Sequence, residues 1–464
     1  MQVFFLHSDI FLHSEVVLSG SFCYTVAIRF FRAGAAAFPD AEKAPHPRRS
    51  SIMTGGNSMD PLSHRRAKAG LRLLKPDGAP AAGLSVQVDQ VSHSFLFGCG
   101  AFDAVPLVNT KDEERRRFLQ ERMDKWLELF NYGTLPFYWG RYEPTEGRTA
   151  FSETMAAAAW LREHGVRVKG HPLCWHTACA DWLLQYGNGE ILRRQLERIR
   201  REVSAFRGVI GLWDVINEVV IMPNFDKYDN AITRICRELG RTRLVKEVFD
   251  AAKETDPDAV LLINDFNTSP AYEHLLEDLL DAEVPIGAIG IQSHQHQGYW
   301  GREKLEDVLN RFSRFGLPIH FTENTLISGE TMPGYIEDLN DWQVDCWPST
   351  PEGEQRQAAE MKEMYSVLFA HPKVEAITTW DFSDGCWLKA PSGFVREDNS
   401  EKPSFRMLRK LIHETWETHE TLCTDENGFL AFTGFRGGYT LRSEVGSAAF
   451  ELTEDLHAQL RLSR

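Results

Sequence analysis

Along the middle of the chain, short apolar runs alternate with longer segments whose apolar residues recur every three or four positions. In order, the runs are FLFGCGAF, YGTLPFYW, VRVKGHPLCW, VIGLWDVINE, VLLINDF, AIGIQSH, PIHFTENT and VEAITTWDF. A continuous apolar run of this length reads as a strand covered on both faces. Segments such as KDEERRRFLQERMDKWLELF, EILRRQLERIRREVSAF and EGEQRQAAEMKEMYSVLF carry an apolar stripe at helical spacing. Eight strand–helix alternations predict an α/β fold closed as a (β/α)8 barrel over residues 95–417. A doubly wound open sheet is the alternative, but none of these strands runs into a glycine-rich phosphate loop.

The flanks follow another rule. Residues 66–94 read as two short strands around a turn, with PDG and APAAG as turn signals and SVQVDQV alternating apolar with polar. Residues 418–464 have the same character, with turns at DENG and RGG. The two flanks are expected to form one small β appendage on the barrel. Residues 1–65 are apolar but interrupted by Asp9, His13 and Glu15, and no basic stretch precedes the apolar run. That makes a poor signal peptide and no membrane span, although AGAAAF imitates a cleavage site. This part is expected to be disordered or poorly packed, or an over-extended start with Met53 or Met59 as the natural first residue. A cytoplasmic location is the expectation.

Composition narrows the partners. A hydrophobic share of 43% and a charged share of 25% are those of an ordinary globular protein. A net charge of -15 leaves no general basic character for nucleic acid or an anionic membrane. The twelve tryptophans suit a sugar partner, since a flat apolar ring covers the axial C–H groups of a pyranose. The eight scattered cysteines contain no CxxC pair and read as reduced thiols.

In a barrel of this kind, chemistry gathers at the C-terminal ends of the strands. There the polar and aromatic residues collect: Tyr138 and Trp139; His171, Trp175 and His176; Asn217 and Glu218; Asn264, Asp265 and Asn267; Gln292 and His294; Glu323; Trp380, Asp384 and Trp387. Glu218 and Glu323 each close a strand-like run and are expected to stand out of the sheet edge, facing each other across a cleft. Two facing carboxyls are what glycoside hydrolysis needs, one to protonate the leaving oxygen and one to attack or activate water.

The phrases GHPLCWH, WDVINE, NDFN, GIQSH, FTEN and TTWDFSDGCW, in this order on the third to eighth strands, resemble the retaining β-xylanases of glycoside hydrolase family ten. The resemblance covers roughly residues 95–415. It implies a retaining, endo-1,4-β-xylanase-like hydrolase acting on xylan or xylo-oligosaccharides, with Glu218 as acid/base and Glu323 as nucleophile. It further implies that Asn217 holds the sugar 2-hydroxyl, that His294 and Gln292 orient Glu323, that His171 and Trp175 frame the sugar, and that Trp380 forms its floor. Tyr138 and Trp387 complete the substrate-binding set; Trp213 could give Glu218 an apolar setting, but it and His176 read more readily as core than as contact residues.

Three departures bear on specificity. Thr134 and Leu135 stand where the family carries a Glu-Asn pair, and Tyr138 replaces a lysine. Ala178 follows where a glutamine is usual, and Thr325 replaces the aspartate that backs the histidine, which predicts a less cationic His294. The tryptophan-bearing loop SGETMPGYIEDLNDWQVDCWPSTPEGE is expected to reshape the cleft. Alternatives are the same chemistry on another β-linked or decorated glycan, and a catalytically silent sugar-binding barrel. Barrel metal sites usually carry such a histidine pair on the first strand with a carboxylate-rich partner set, whereas His294 and His296 lie on the sixth, so no metal or cofactor is expected.

Overall fold

The computed structural model describes residues 60–463. The expectations for residues 1–59, including both candidate start residues, lie outside the described residues. Residues 60–65, expected to be loose, are ordered by Arg65, whose guanidinium donates to the carbonyls of Phe369, His371 and Val374.

Two strands precede the barrel, β1 (Arg66–Leu74) and β2 (Ser85–Gln90). The barrel begins with β3 (Leu96–Gly100), β4 (Tyr132–Pro136), β5 (Arg167–His171), β6 (Leu212–Asn217), β7 (Val260–Asp265) and β8 (Ala288–Ile291). A short β9 (His294–Gln295), then β10 (Ile319–Leu326) and β11 (Val374–Thr379), complete it. Neighbours pair in parallel in this order, and β11 returns to β3, so eight strands close a ring with β9 as an outlying extension along β10. All eight apolar runs seen in the sequence supply strands.

The helices pack their apolar stripes on the outside of the ring. Side-chain caps start several of them: Asp112 before Glu113–Leu129, Asn230 before Ala231–Leu239, Ser269 before Pro270–Asp281 and Thr350 before Pro351–Ala370. Each cap satisfies a backbone N–H otherwise left without a partner, worth about 1 kcal/mol. Between layers the fit is tight. A Cβ on Gly170 would lie 2.1 Å from the Trp213 ring, so only glycine admits that tryptophan against β5. Trp213 is wholly buried and meets Phe137 at 4.9 Å and Phe206 at 6.2 Å. It belongs to the packing between sheet and helices, as its core reading has it, and not to the surroundings of Glu218.

The remaining strands are β12 (His419–Cys423), β13 (Phe429–Phe435), β14 (Gly437–Ser443), β15 (Gly446–Leu452) and β16 (Leu456–Arg461). They join β1 and β2 in two sheets, ordered β13-β1-β16 and β12-β2-β14-β15. The two N-terminal strands therefore do not pair with each other. Each is completed by C-terminal strands around a separate core that includes Leu71, Leu73, Val86, Val88, Tyr439, Leu441 and Leu452. This β module meets the barrel where β11 begins, through Arg65 and a Phe369–Phe435 contact at 6.1 Å. It thus sits at the end of the barrel away from Glu218 and Glu323.

Candidate active site

The barrel interior carries charge where the outer faces carry packing. Lys169 and His171 alternate along β5 and reach Asp214 on β6. Asp214 Oδ2 lies 2.7 Å from both Lys169 Nζ and His171 Nδ1, and all three are buried. Burial alone would raise the Asp214 carboxyl, but Lys169 and His171 outweigh it and hold it below the usual range. The hydrogen bond to Asp214 fixes His171 with a proton on Nδ1.

Two residues beyond Asp214 the ladder between β6 and β7 slips, with a register shift between Asp214 and Ile216. A slip of this kind re-aims the side chains that follow. Glu218, the residue after the strand, takes φ 55°, the left-handed region that a side chain ordinarily avoids, and its N–H is fixed to Asn264 O at 2.8 Å. Glu323 lies within β10 with three strand residues beyond it, so it does not end its strand as the sequence implied. Neither acid stands clear of the sheet: Glu218 is 1% and Glu323 4% exposed. The mouth of this barrel is filled by aromatic rings, and these bury both carboxyls.

A chain of amides links the two acids. Asn264 Nδ2 donates to Glu323 Oε1 at 2.7 Å and to Asn217 Oδ1 at 2.9 Å. Gln292 Nε2 donates to the same Asn217 oxygen at 3.1 Å and to Glu218 Oε1 at 3.3 Å. Asn217 thus spends its oxygen on the network and keeps its Nδ2 donors for another partner. Gln292 serves Glu218 and not Glu323, against expectation, because Asn264 from the intervening β7 already occupies that oxygen of Glu323. Thr322 Oγ1 donates to Asn264 Oδ1 at 2.6 Å and sets its orientation.

His294 Nε2 lies 3.1 Å from Glu323 Oε2, and its Nδ1 lies 3.0 Å from Thr325 Oγ1. Burial depresses the imidazole to about 3, so the ring is neutral, as the exchange of a carboxylate for Thr325 foreshadowed. A neutral ring has one N–H. With the Thr325 hydroxyl donating to Nδ1, that N–H sits on Nε2 and points at Glu323.

The two carboxyls are therefore unequal. Burial drives Glu218 far above the carboxylate range and the facing Glu323 adds to it, against single hydrogen bonds from Trp175 Nε1 and Gln292. Burial also raises Glu323, and it stays above its ordinary value although His171 and Lys169 pull the other way and Asn264 donates to it. Of the two, Glu218 is held the higher and favours the proton, and Glu323 is the one placed to carry charge.

Aromatic rings wall the space around the pair. Tyr138 meets His171 edge-on at 5.6 Å and Trp175 at 5.7 Å, Trp380 meets His171 at 5.4 Å and His294 at 6.0 Å, and Trp387 lies 4.5 Å from His294. All ten expected site residues converge here. His176 does not: it is buried against Phe225 at 4.6 Å. Asp384 is structural, binding Lys402 Nζ at 2.8 Å and Gly393 N at 2.9 Å. Lys169 and Asp214 were missed as site residues, although a lysine and an aspartate inside otherwise apolar strand runs were the signal. Asn264 was in the strand-end set, but its bridging of the two acids was not read from the sequence.

The seven described cysteines, Cys99, Cys174, Cys179, Cys236, Cys346, Cys386 and Cys423, are free, and no group among the described residues is arranged to hold a metal ion. No helix among them is long and apolar enough to cross a membrane.

Comparison with known proteins bears on the arrangement. The chain is 27% identical over 301 residues to an endo-1,4-beta-xylanase/feruloyl esterase of Xylanibacter ruminicola, covering 56% of this chain and 39% of that protein. It is 27% identical over 296 residues to endo-1,4-beta-xylanase B of Thermotoga neapolitana, covering 60% of this chain and 78% of that one. Among solved structures, xylanase 10B of Thermotoga petrophila in complex with xylobiose superposes with a TM-score of 0.57 at 21% identity, over 69% of this chain and 94% of that one, which shows a shared fold. The profile of glycosyl hydrolase family 10 matches residues 136–410, more than half of the sequence, and the chain belongs to that family of glycoside hydrolases.

Proposed function

We propose that this chain cleaves β-glycosidic bonds of xylan or xylo-oligosaccharides by double displacement, with Glu218 as acid/base and Glu323 as nucleophile. The observation that carries the reading is the unequal pair: Glu218, which favours the proton, joined through Gln292, Asn217 and Asn264 to Glu323, which is placed to carry charge. In the first step the Glu323 carboxylate bonds to the anomeric carbon while Glu218 gives its proton to the departing oxygen. The negative charge of Glu323 is then gone and the main electrostatic load on Glu218 is lifted, so the Glu218 carboxylate can take a proton from water. Water attacks the anomeric carbon, and Glu323 leaves as a carboxylate. Asn217, with free amide donors beside both acids, is placed to bond the sugar hydroxyl next to the reacting carbon. The xylanase names of the relatives support the substrate class.

The test is Glu218→Ala on aryl β-xylosides. With a good leaving group the first step survives and the second stalls. Turnover is expected to fall about 10²–10⁴-fold and to recover with azide, a nucleophile that needs no base. A variant that kept wild-type turnover would remove Glu218 from the role. A second reading, the same chemistry on another β-linked glycan, is favoured by the buried Thr134, Leu135 and Tyr138 on and after β4, which offer no carboxylate, amide or ammonium.

A further inference from the structure

The segment from Ile327 to Thr350, between β10 and the helix Pro351–Ala370, crosses the barrel mouth and is fastened on both sides. Leaving β10, it bonds the turn after β9: Met332 N donates to His296 O at 2.8 Å, and Gln297 Nε2 donates to Pro333 O at 3.1 Å and Ile336 O at 2.7 Å. It then reaches the loop after β6, where Lys227 Nζ donates to Asp338 and, at 3.0 Å, to Asp341 Oδ1. On its way back, Val344 O and Asp345 O accept from Lys389 Nζ, in the loop after β11, at 3.2 and 3.3 Å. In the closed ring β6 and β11 stand opposite each other, with β7, β8 and β10 between them on one side and β3, β4 and β5 on the other. The segment is a strap over the first side.

Its underside is apolar and continuous with the site. Met332, Leu339 and Trp347 are buried in one cluster with Tyr138, Trp175, Trp380 and Trp387. Trp387 touches His294 at 4.5 Å and His296 at 4.9 Å, and His296 touches Trp347 at 6.1 Å. His296 also meets His294 at 5.9 Å, so a single ring separates the strap from the histidine bonded to Glu323. The latch is anchored where water is scarce: the Asp338 side chain is 1% exposed and its Lys227 partner 23%. Both ring nitrogens of His296 lie buried beneath the strap without a hydrogen-bond partner.

We infer that the strap closes one end of the sugar cleft, latched by Lys227 and Asp338, so that the site takes the last few sugars of a β-linked chain and not its middle. A polymer running across the mouth in both directions would have to break the latch and strip the apolar underside from its cluster. A chain end needs neither. This rests on the hydrolase reading of the same site.

The test compares wild type, Lys227→Met and a variant with residues 332–346 replaced by a short Gly-Ser linker. Substrates are a β-linked xylo-oligosaccharide series from disaccharide to hexasaccharide and soluble xylan. In the wild type kcat/KM is expected to level off after the shortest members, and polymer viscosity to fall slowly relative to the reducing ends released. Both variants should gain about tenfold on polymer relative to disaccharide. A wild-type kcat/KM that climbs about tenfold through the hexasaccharide, or a rapid viscosity drop, overturns the inference. Hydrogen exchange over 327–350 judges the strap without turnover: slow in wild type and fast in Lys227→Met supports it, and fast exchange in wild type overturns it. If no β-glycoside is turned over, the catalytic reading fails. Binding to Glu323→Ala then decides the strap: affinity that stops rising with chain length supports it, and affinity that keeps rising overturns it.

Discussion

In the β module, β13 exposes and buries successive residues from Phe429 to Gly434 in strict alternation, and the side chains turned inward are apolar. At the mouth of the barrel, β10 buries all eight of its residues, and these include His320, Glu323, Asn324 and Thr325. The module follows the local rule that sorts apolar from polar by face. The mouth breaks it repeatedly: two acids without bulk water, a left-handed Glu218, a lysine and an aspartate inside the ring. Local rules broken this densely at one place, while the rest of the fold keeps them, mark a site held against its own stability. The comparison teaches where activity and stability should separate on mutation.

The widest separation is expected at Glu323. Glu323→Ala should lower kcat/KM on aryl β-xylosides by on the order of 10⁴-fold or more. It should leave Tm unchanged or raised, because a buried acid is removed from beside another. A Tm loss that tracked the activity loss would break the contrast. Leu441→Ala in the module is the mirror image. It should cost about 2–5 kcal/mol in denaturant unfolding, with kcat/KM on the same substrates unchanged at a temperature where the variant is folded. Lost turnover there would mean that the module shapes the mouth from the far end.

The smallest effect belongs to the joint between module and barrel. His413 bonds Glu417 at 3.1 Å and Glu128 O at 2.7 Å, and His419 bonds Asp89 at 3.1 Å and Glu417 at 3.3 Å. The bond to Glu417 raises His413; in His419 partial burial works the other way, but Asp89 and Glu417 outweigh it. A raised histidine contributes stability in full below its unfolded value of about 6.5, and that contribution is lost as pH rises through the folded value. Burial alone would raise Glu417, yet His413 holds it low, so its share is lost on the acid side. With the groups half in water, each pair is worth under about 1 kcal/mol. His413→Ala with His419→Ala should flatten the decline in Tm between pH 6 and 8, as measured by calorimetry; an unchanged slope would show that the joint carries no proton linkage.

The sequence made the regular parts legible and the coupled parts less so. Eight apolar runs announced eight strands because each is buried on both faces, and the strand-end residues announced the mouth. The strap was visible as a long, tryptophan-rich loop, but Lys227 lies over a hundred residues from Asp338, and nothing local ties them. The same limit hid the partner of Gln292, since which acid it serves depends on Asn264 arriving from β7. The pairing of β1 with β13 and β16 was hidden for a like reason, because PDG looks like a hairpin turn until the C-terminal strands are present. The polarity of Lys169 and Asp214 was in plain view, but its meaning depends on both facing the inside of one ring.

The central claim is that Glu323 carries the sugar and Glu218 moves the proton. It is tested most directly by following the anomeric protons of the first-formed product by NMR while the wild-type enzyme acts on a β-xyloside. The account predicts β-configured sugar first, with the α-form growing in only as the product mutarotates. An α-product formed first would mean direct displacement by water and would contradict it.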